Sequence, residues 1–135
     1  MNESILNSIK VLLGVSPEDT SFDDALVMHI NTAFGYLEHL GLGPTGGFSI
    51  SSSEETWSQY LTDEKFYHPV KSYIAAKVHL SWDTPQSSFV TTAIENQVSE
   101  AQWRLMIMAE CNRIQETEDD IYDDDYDFYG DDDDT

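Results

Sequence analysis

The chain is 135 residues long, with 26 Asp and Glu against six Lys and Arg, a formal net charge of −20 and one cysteine. That length holds one hydrophobic core and no second, the shortage of bases excludes gripping nucleic acid through its phosphates, and the single Cys111 excludes an intramolecular disulfide. The apolar stretches are short and broken by charge, and the opening MNESILNSIK has neither a basic n-region nor a long apolar h-region, so neither a membrane span nor a secretion signal is expected.

Ile5, Ile9, Leu12 and Leu13 repeat at helical spacing with Gly14 behind them, which predicts a short amphipathic helix over 2–14. After the break at Val15-Ser16-Pro17, Phe22, Leu26, Ile30, Ala33, Leu37 and Leu40 advance in steps of 4, 4, 3, 4 and 3. A Thr20/Ser21 cap and a first turn carrying Asp23 and Asp24 should start that helix, and Gly41 should stop it. The segment 41–53, GLGPTGGFSISSS, has loop composition and is expected to form a projecting loop or short hairpin. Its glycines Gly41, Gly43, Gly46 and Gly47 permit rearrangement around Pro44, while Phe48 and Ile50 give it something to bury, so it is a candidate switch or channel-lining loop.

Ser52 and Glu55 have capping-box spacing and should open a helix of about two turns carrying Trp57, Tyr60 and Leu61. Pro69 suits a helix N1 position, with His68 as the cap and Val70, Tyr73, Ile74, Val78 and Trp82 on one face until Asp83-Thr84-Pro85. Val90, Ile94, Val98, Ala101, Leu105 and Met108 again step by 4, 4, 3, 4 and 3, predicting a helix over 88–113. Trp57, Trp82, Trp103, Phe22 and Phe34 sit at or beside apolar helical positions and read as core. Cys111, within AQWRLMIMAECNR, reads as a small buried or half-buried residue. Trp82 and Pro85, with Phe89 just beyond, form a junction where bulky groups are candidates for an inter-subunit contact.

No run alternates convincingly as a strand, so the fold class is all-α: a small antiparallel bundle of four to five helices over 1–115, followed by an acidic tail over 116–135. The body holds fourteen acids against six bases; the tail holds twelve acids and no base. A plain polyacid would be a solvated, self-repelling segment. Here Tyr122, Tyr126, Phe128 and Tyr129 are interleaved with acids that include Asp123, Asp124 and Asp125, which makes the tail a candidate contact with a partner.

Chemistry is harder to assemble. His29, His39, His68 and His79 fall in no H-E-x-x-H, H-x-x-x-H or CxxC pattern, and the acid pairs Asp23-Asp24, Glu54-Glu55 and Asp63-Glu64 lie where helix starts want negative charge. The acidic run that starts at Asp119 has neither the Gly at position six nor the Glu at position twelve of an EF-hand loop. GLGPTGG lacks the Lys-Ser/Thr of a phosphate loop and follows no strand. No catalytic residue, metal ligand or cofactor is therefore assigned, and the chain is not read as an enzyme.

In order along the chain, ILNSIKVLLGV, SFDDALVMHINTAFGYLEHLGLGP, TWSQYL and VKSYIAAKVHLSWDTPQSSFVTTAIENQVSEAQWRLMI resemble the head-tail connector (adaptor, or head completion) proteins of long-tailed bacteriophages over about residues 4–108. The specific words are the D-D-x-L-x-x-x-I-x-x-A helix, Leu42-Gly43-Pro44, the Tyr73 to Leu80 helix, Pro85-x-Ser-Ser-Phe89 and Gln102-Trp103-Arg104-Leu105, where relatives commonly place a glutamate at the position of Gln102. The resemblance implies a structural virion protein at the neck, made in the host bacterial cytoplasm. It implies a ring, expected to be a dodecamer, between the portal protein and a stopper or tail-completion protein, through which DNA passes without specific binding. An acidic lumen repels phosphate, which suits that passage. The competing reading is an acidic helical binding module, a DNA mimic or chaperone-like protein whose Asp/Tyr tail occupies a basic partner surface.

Overall fold

In the computed structural model, which describes residues 1–83 and 85–132 with side chains as far as Glu118, the lead helix α1 runs Ile5–Leu12. Ser4 starts it by accepting the Asn7 amide at 3.2 Å on its Oγ. Gly14 ends it at φ 80°: its N–H reaches the Val11 carbonyl at 3.1 Å, and the Val15 N–H reaches the Lys10 carbonyl at 2.8 Å. That pair of bonds is a Schellman cap, which needs a residue at ease with positive φ.

Helix α2, Asp23–His39, ends the same way at Gly41, with Leu42 N–H bonded back to the Leu37 carbonyl at 3.3 Å and both leucines buried. Its start departs from expectation. Phe22, not Thr20 or Ser21, occupies the N-cap, and its ring has no atom to accept a helix amide; Ser21 instead sits in a local turn, its amide donating to Asp19 Oδ1 at 3.0 Å. Leu26, Ile30, Ala33 and Leu37 bury one face of α2 completely.

The segment 41–53 is neither hairpin nor projection. Among the described residues the only bridge pairing is an isolated one between Ser4 and Thr56, and the second half of the loop lies on α2. The Asn31 amide side chain accepts the Ile50 N–H at 2.7 Å and donates to the Ile50 carbonyl at 2.9 Å, doing for one residue what a neighbouring strand would do. Ile50 is thereby buried, and Phe48 joins Phe34 and Tyr60 in a cluster with ring centroids 4.5–5.3 Å apart.

The anticipated two-turn helix is a single turn, α3 (Trp57–Tyr60), and its capping box is Thr56 with Gln59 rather than Ser52 with Glu55. The Glu55 carboxylate instead gathers the backbone and hydroxyl donors of Ser51 and Ser52 at 2.7–3.2 Å. Burial pushes that carboxyl up, but these donors outweigh it and hold the group below its ordinary value. Thr56 becomes the cap because the N-terminal segment claims it: Ile5 N–H donates to the Glu55 carbonyl, and the Trp57 and Ser58 amides donate to the carbonyls of Glu3 and Met1.

A 3₁₀ turn over Glu64–Phe66 leads directly into α4, Tyr67–Trp82, so His68 and Pro69 lie inside the first helical turn instead of at its cap and N1. Proline is tolerated there because the amides of the first turn have no intrahelical partner to lose. Helix α4 is the centre of the bundle, packing on α1, α2, the 3₁₀ turn and α5. Helix α5 spans Ser88–Asp132, so it continues past Arg113, where the apolar periodicity ends, and through the expected 115/116 boundary. Gln102 Nε2 donates to the Tyr73 hydroxyl at 3.0 Å. The residue that departs from the connector pattern thus ties α5 to α4 through a neutral hydrogen bond, where a glutamate would have to accept one.

Candidate interaction surfaces

Open grooves run along the inner side of α5. Between α4 and α5 lies one of about 580 Å³, walled by residues that include His68, Pro69, Ala101, Arg104 and Met108. It meets a second, of about 300 Å³, through their shared Ser72 and Gln97; the second is closed by Leu12, Leu13, His79 and Ile94. At the other end, Leu40 to Pro44 face Asn112, Arg113 and Glu116 across about 570 Å³. The candidate loop therefore divides: Gly41, Gly43 and Pro44 line a groove against α5, Phe48 and Ile50 are packed on α2, and Gly46 and Gly47 make the turn between them at φ 94° and 92°.

Gly43 is the tightest point of that loop. It has φ 88°, and a Cβ built on it would lie 2.3 Å from Cε2 of Tyr60. The Tyr60 hydroxyl is buried with no hydrogen-bond partner among the described residues, and burial pushes its phenol well above the ordinary value, so the ring is held by packing rather than by its polar end. Gly43→Ala is expected to cost about 2 kcal/mol, from the positive φ together with displacement of the Tyr60 ring. Gly14→Ala, where nothing lies within 4 Å, should cost about 1 kcal/mol from φ alone. Urea unfolding midpoints of the two variants check the difference.

At the α4–α5 junction, Trp82 is half-buried with its ring 5.3 Å from Phe22 in an edge-on contact, Pro85 is half-buried, and its carbonyl accepts the Thr91 hydroxyl at 3.1 Å. Phe89 beside them is 82 % exposed. Phe22, expected in the core, is 43 % exposed and covers Trp82 from outside. The side chains of Tyr122, Tyr126, Phe128, Tyr129, Asp123, Asp124 and Asp125 lie outside the described residues.

Helix α5 carries surface that residue-by-residue reading placed elsewhere. Trp103 is 59 % exposed rather than core, and Cys111 is exposed rather than half-buried. Met106, Ile107 and Ile114 are exposed with Trp103, while Val98 and Leu105 are buried on the opposite side. The signal was present in the sequence: once Ile94, Val98, Ala101, Leu105 and Met108 are assigned inward, Trp103, Ile107 and Ile114 remain at steps of 4 and 7, a second helical stripe.

The bases are all engaged. Lys10 pairs with Asp23 at 2.7 Å, Lys65 with Asp63 at 3.4 Å, Lys71 with Glu3 at 2.8 Å, Arg104 with Glu100 at 2.6 Å and Arg113 with Glu110, and Lys77 lies 5.8 Å over the Tyr36 ring. No cluster of unpaired cations is left to meet a phosphate backbone. Among the described residues, no three His, Cys, Asp or Glu side chains are grouped to hold a metal ion, and no helix is long and apolar enough to cross a membrane.

A helical body with a two-faced long helix and open grooves offers surfaces for assembly. The family comparison names the assembly: the model of the phage connector proteins matches residues 5–112, and the chain belongs to that family. The family is one of structural virion proteins acting where the bacteriophage head joins the tail. Comparisons with curated proteins and with solved structures gave no match.

Proposed function

We propose that this chain forms the adaptor ring of the virion neck, seated between the portal and the stopper or tail-completion protein and extending the DNA channel. What carries the reading is that the family match spans the helical body from α1 into α5. The ring is a dodecamer, assembled from chains made in the host bacterial cytoplasm. DNA passes through it without specific binding; supporting this, every Lys and Arg is occupied within the chain, so the surface presents excess acid. Residues 1–115 serve as the connector domain. The tail over 116–135 attaches to the portal or a neighbouring subunit, with Tyr122, Tyr126, Phe128 and Tyr129 as anchors among Asp123, Asp124 and Asp125. The Gly41–Ile50 loop and the Trp82, Pro85, Phe89 junction are further contact elements, the loop rearranging on assembly.

The test is binding of the full chain and of residues 1–115 to cognate portal rings, viewed by electron microscopy. The full chain should add a ring of density, and truncation should lose it. Density retained by the truncated chain removes the tail from attachment. No added ring with either form, on portals competent for other neck proteins, overturns the adaptor reading in favour of an acidic module, a DNA mimic or chaperone-like protein, that fills a basic partner surface.

A further inference from the structure

Among the described residues nothing covers the outward apolar stripe of α5: Trp103 is 59 % exposed, Met106 48 %, Ile107 38 % and Ile114 50 %. Four large apolar side chains on one helix face exceed the scattered single exposures normal for a monomer. The stripe also lies in a stretch whose charges balance. Residues 99–115 contain Glu100 and Glu110 against Arg104 and Arg113, the chain's two arginines, and each arginine is held by a carboxylate about one turn away. In a chain of net charge −20, this stretch is neutral.

Neutrality points to the occupant. A basic partner would be drawn to acid-rich surface, and the stripe offers it no attraction. Two copies of an acidic chain repel over most of their surfaces and approach at least cost where charge cancels. A receptor is present on the same molecule. The α4–α5 groove, about 580 Å³, has the apolar groups of Pro69, Ala101 and Met108 in its walls and the Glu100–Arg104 pair at its edge. At 3.6 residues per turn, the groove residues Gln97, Arg104 and Met108 lie about a quarter-turn around α5 from Trp103, Ile107 and Ile114.

We propose that subunits of this protein join head to tail through α5, the Trp103–Ile107–Ile114 stripe of one copy seated in the α4–α5 groove of the next. Because stripe and groove are different surfaces, each copy holds one neighbour and is held by another, the arrangement that closes into a ring. This rests on the adaptor-ring reading for its biological setting and adds a subunit contact on α5 to the contact elements named there.

The experiment uses the full chain with two variants at exposed positions, Trp103→Glu on the stripe and Ser72→Trp filling the groove, followed by sedimentation velocity over a range of concentrations. Wild-type protein should associate beyond pairs, and more strongly as salt screens the residual repulsion. Each variant alone should associate at least about tenfold more weakly. Their equimolar mixture should form pairs and nothing larger, since only one intact stripe–groove contact remains. The pairing also shows that both variants are folded. Wild-type protein that stays monomeric, variants that associate like wild type, or a mixture that fails to pair each overturns the proposal. Trp103→Glu that associates normally but no longer decorates portal rings also overturns it, and assigns the stripe to the portal. Loss of the adaptor reading is seen separately, as wild-type chain that adds no density to portal rings whatever its self-association.

Discussion

Trp57→Ala is expected to destabilise the protein by about 4 kcal/mol, a large share of the roughly 5–15 kcal/mol that holds a domain together. Trp57 is fully buried and stacks on Tyr67 with ring centroids 5.8 Å apart. Its Nε1 donates to Ser8 Oγ at 2.8 Å, and Ser8 Oγ donates in turn to the Ile5 carbonyl at 3.0 Å. One side chain therefore joins α3, α1 and the start of α4, and alanine leaves a cavity where the three meet. Trp57→Phe keeps most of the volume and loses the indole donor, so about 1–2 kcal/mol is expected. Trp103→Ala, on the open face of α5, should change monomer stability by less than about 0.5 kcal/mol. Urea denaturation at a concentration where the chain is monomeric separates these cases, and equal losses at Trp57 and Trp103 would contradict the assignment of one to the core and the other to the surface.

Asp23→Ala is expected to cost about 3 kcal/mol, although Asp23 looks like an ordinary first-turn acid. Its partner makes the difference: the Lys10 side chain is 1 % exposed, and its ammonium is held by Asp23 Oδ1 at 2.7 Å and the Pro17 carbonyl at 3.1 Å. Removing the carboxylate leaves a buried cation with one carbonyl, and the desolvation penalty is no longer offset. The loss sits at the lower end for such pairs because Asp23 itself is 27 % exposed and water can reach that side. Lys10→Met removes the charge along with the need to pair it, and should move stability by no more than about 1 kcal/mol. Thermal unfolding of the two variants gives the sign: a larger loss for Lys10→Met than for Asp23→Ala would mean that the salt bridge contributes net stability rather than the pairing merely being obligatory.

The places where expectation and structure part share a pattern. The capping box moved from Ser52 to Thr56 because the backbone of residues 1–5 pairs with residues 55–58, a contact about fifty positions away in sequence. The loop over 41–53 lies down because Asn31, in the middle of α2, bonds both backbone groups of Ile50. Neither partner carries a local signature. The connector family, by contrast, was legible from the order of short segments along the chain, and the family match over residues 5–112 bears that out.

By itself the sequence determined the all-α class, the helix stops at Gly14 and Gly41, and the inward faces of α4, of α2 from Leu26 and of α5 from Ile94, while Phe22 and Val90 at the starts of those two faces are exposed. Those features follow from bonds and periodicities that span no more than about five residues. The tertiary structure alone decided that Lys10 is buried, and which of the two apolar stripes of α5 is covered, so that Trp57 lies inside while Trp103 lies outside. An apolar residue on a helix is core only if another element lies on that side, and α5 has α4 on one side and no described element on the other.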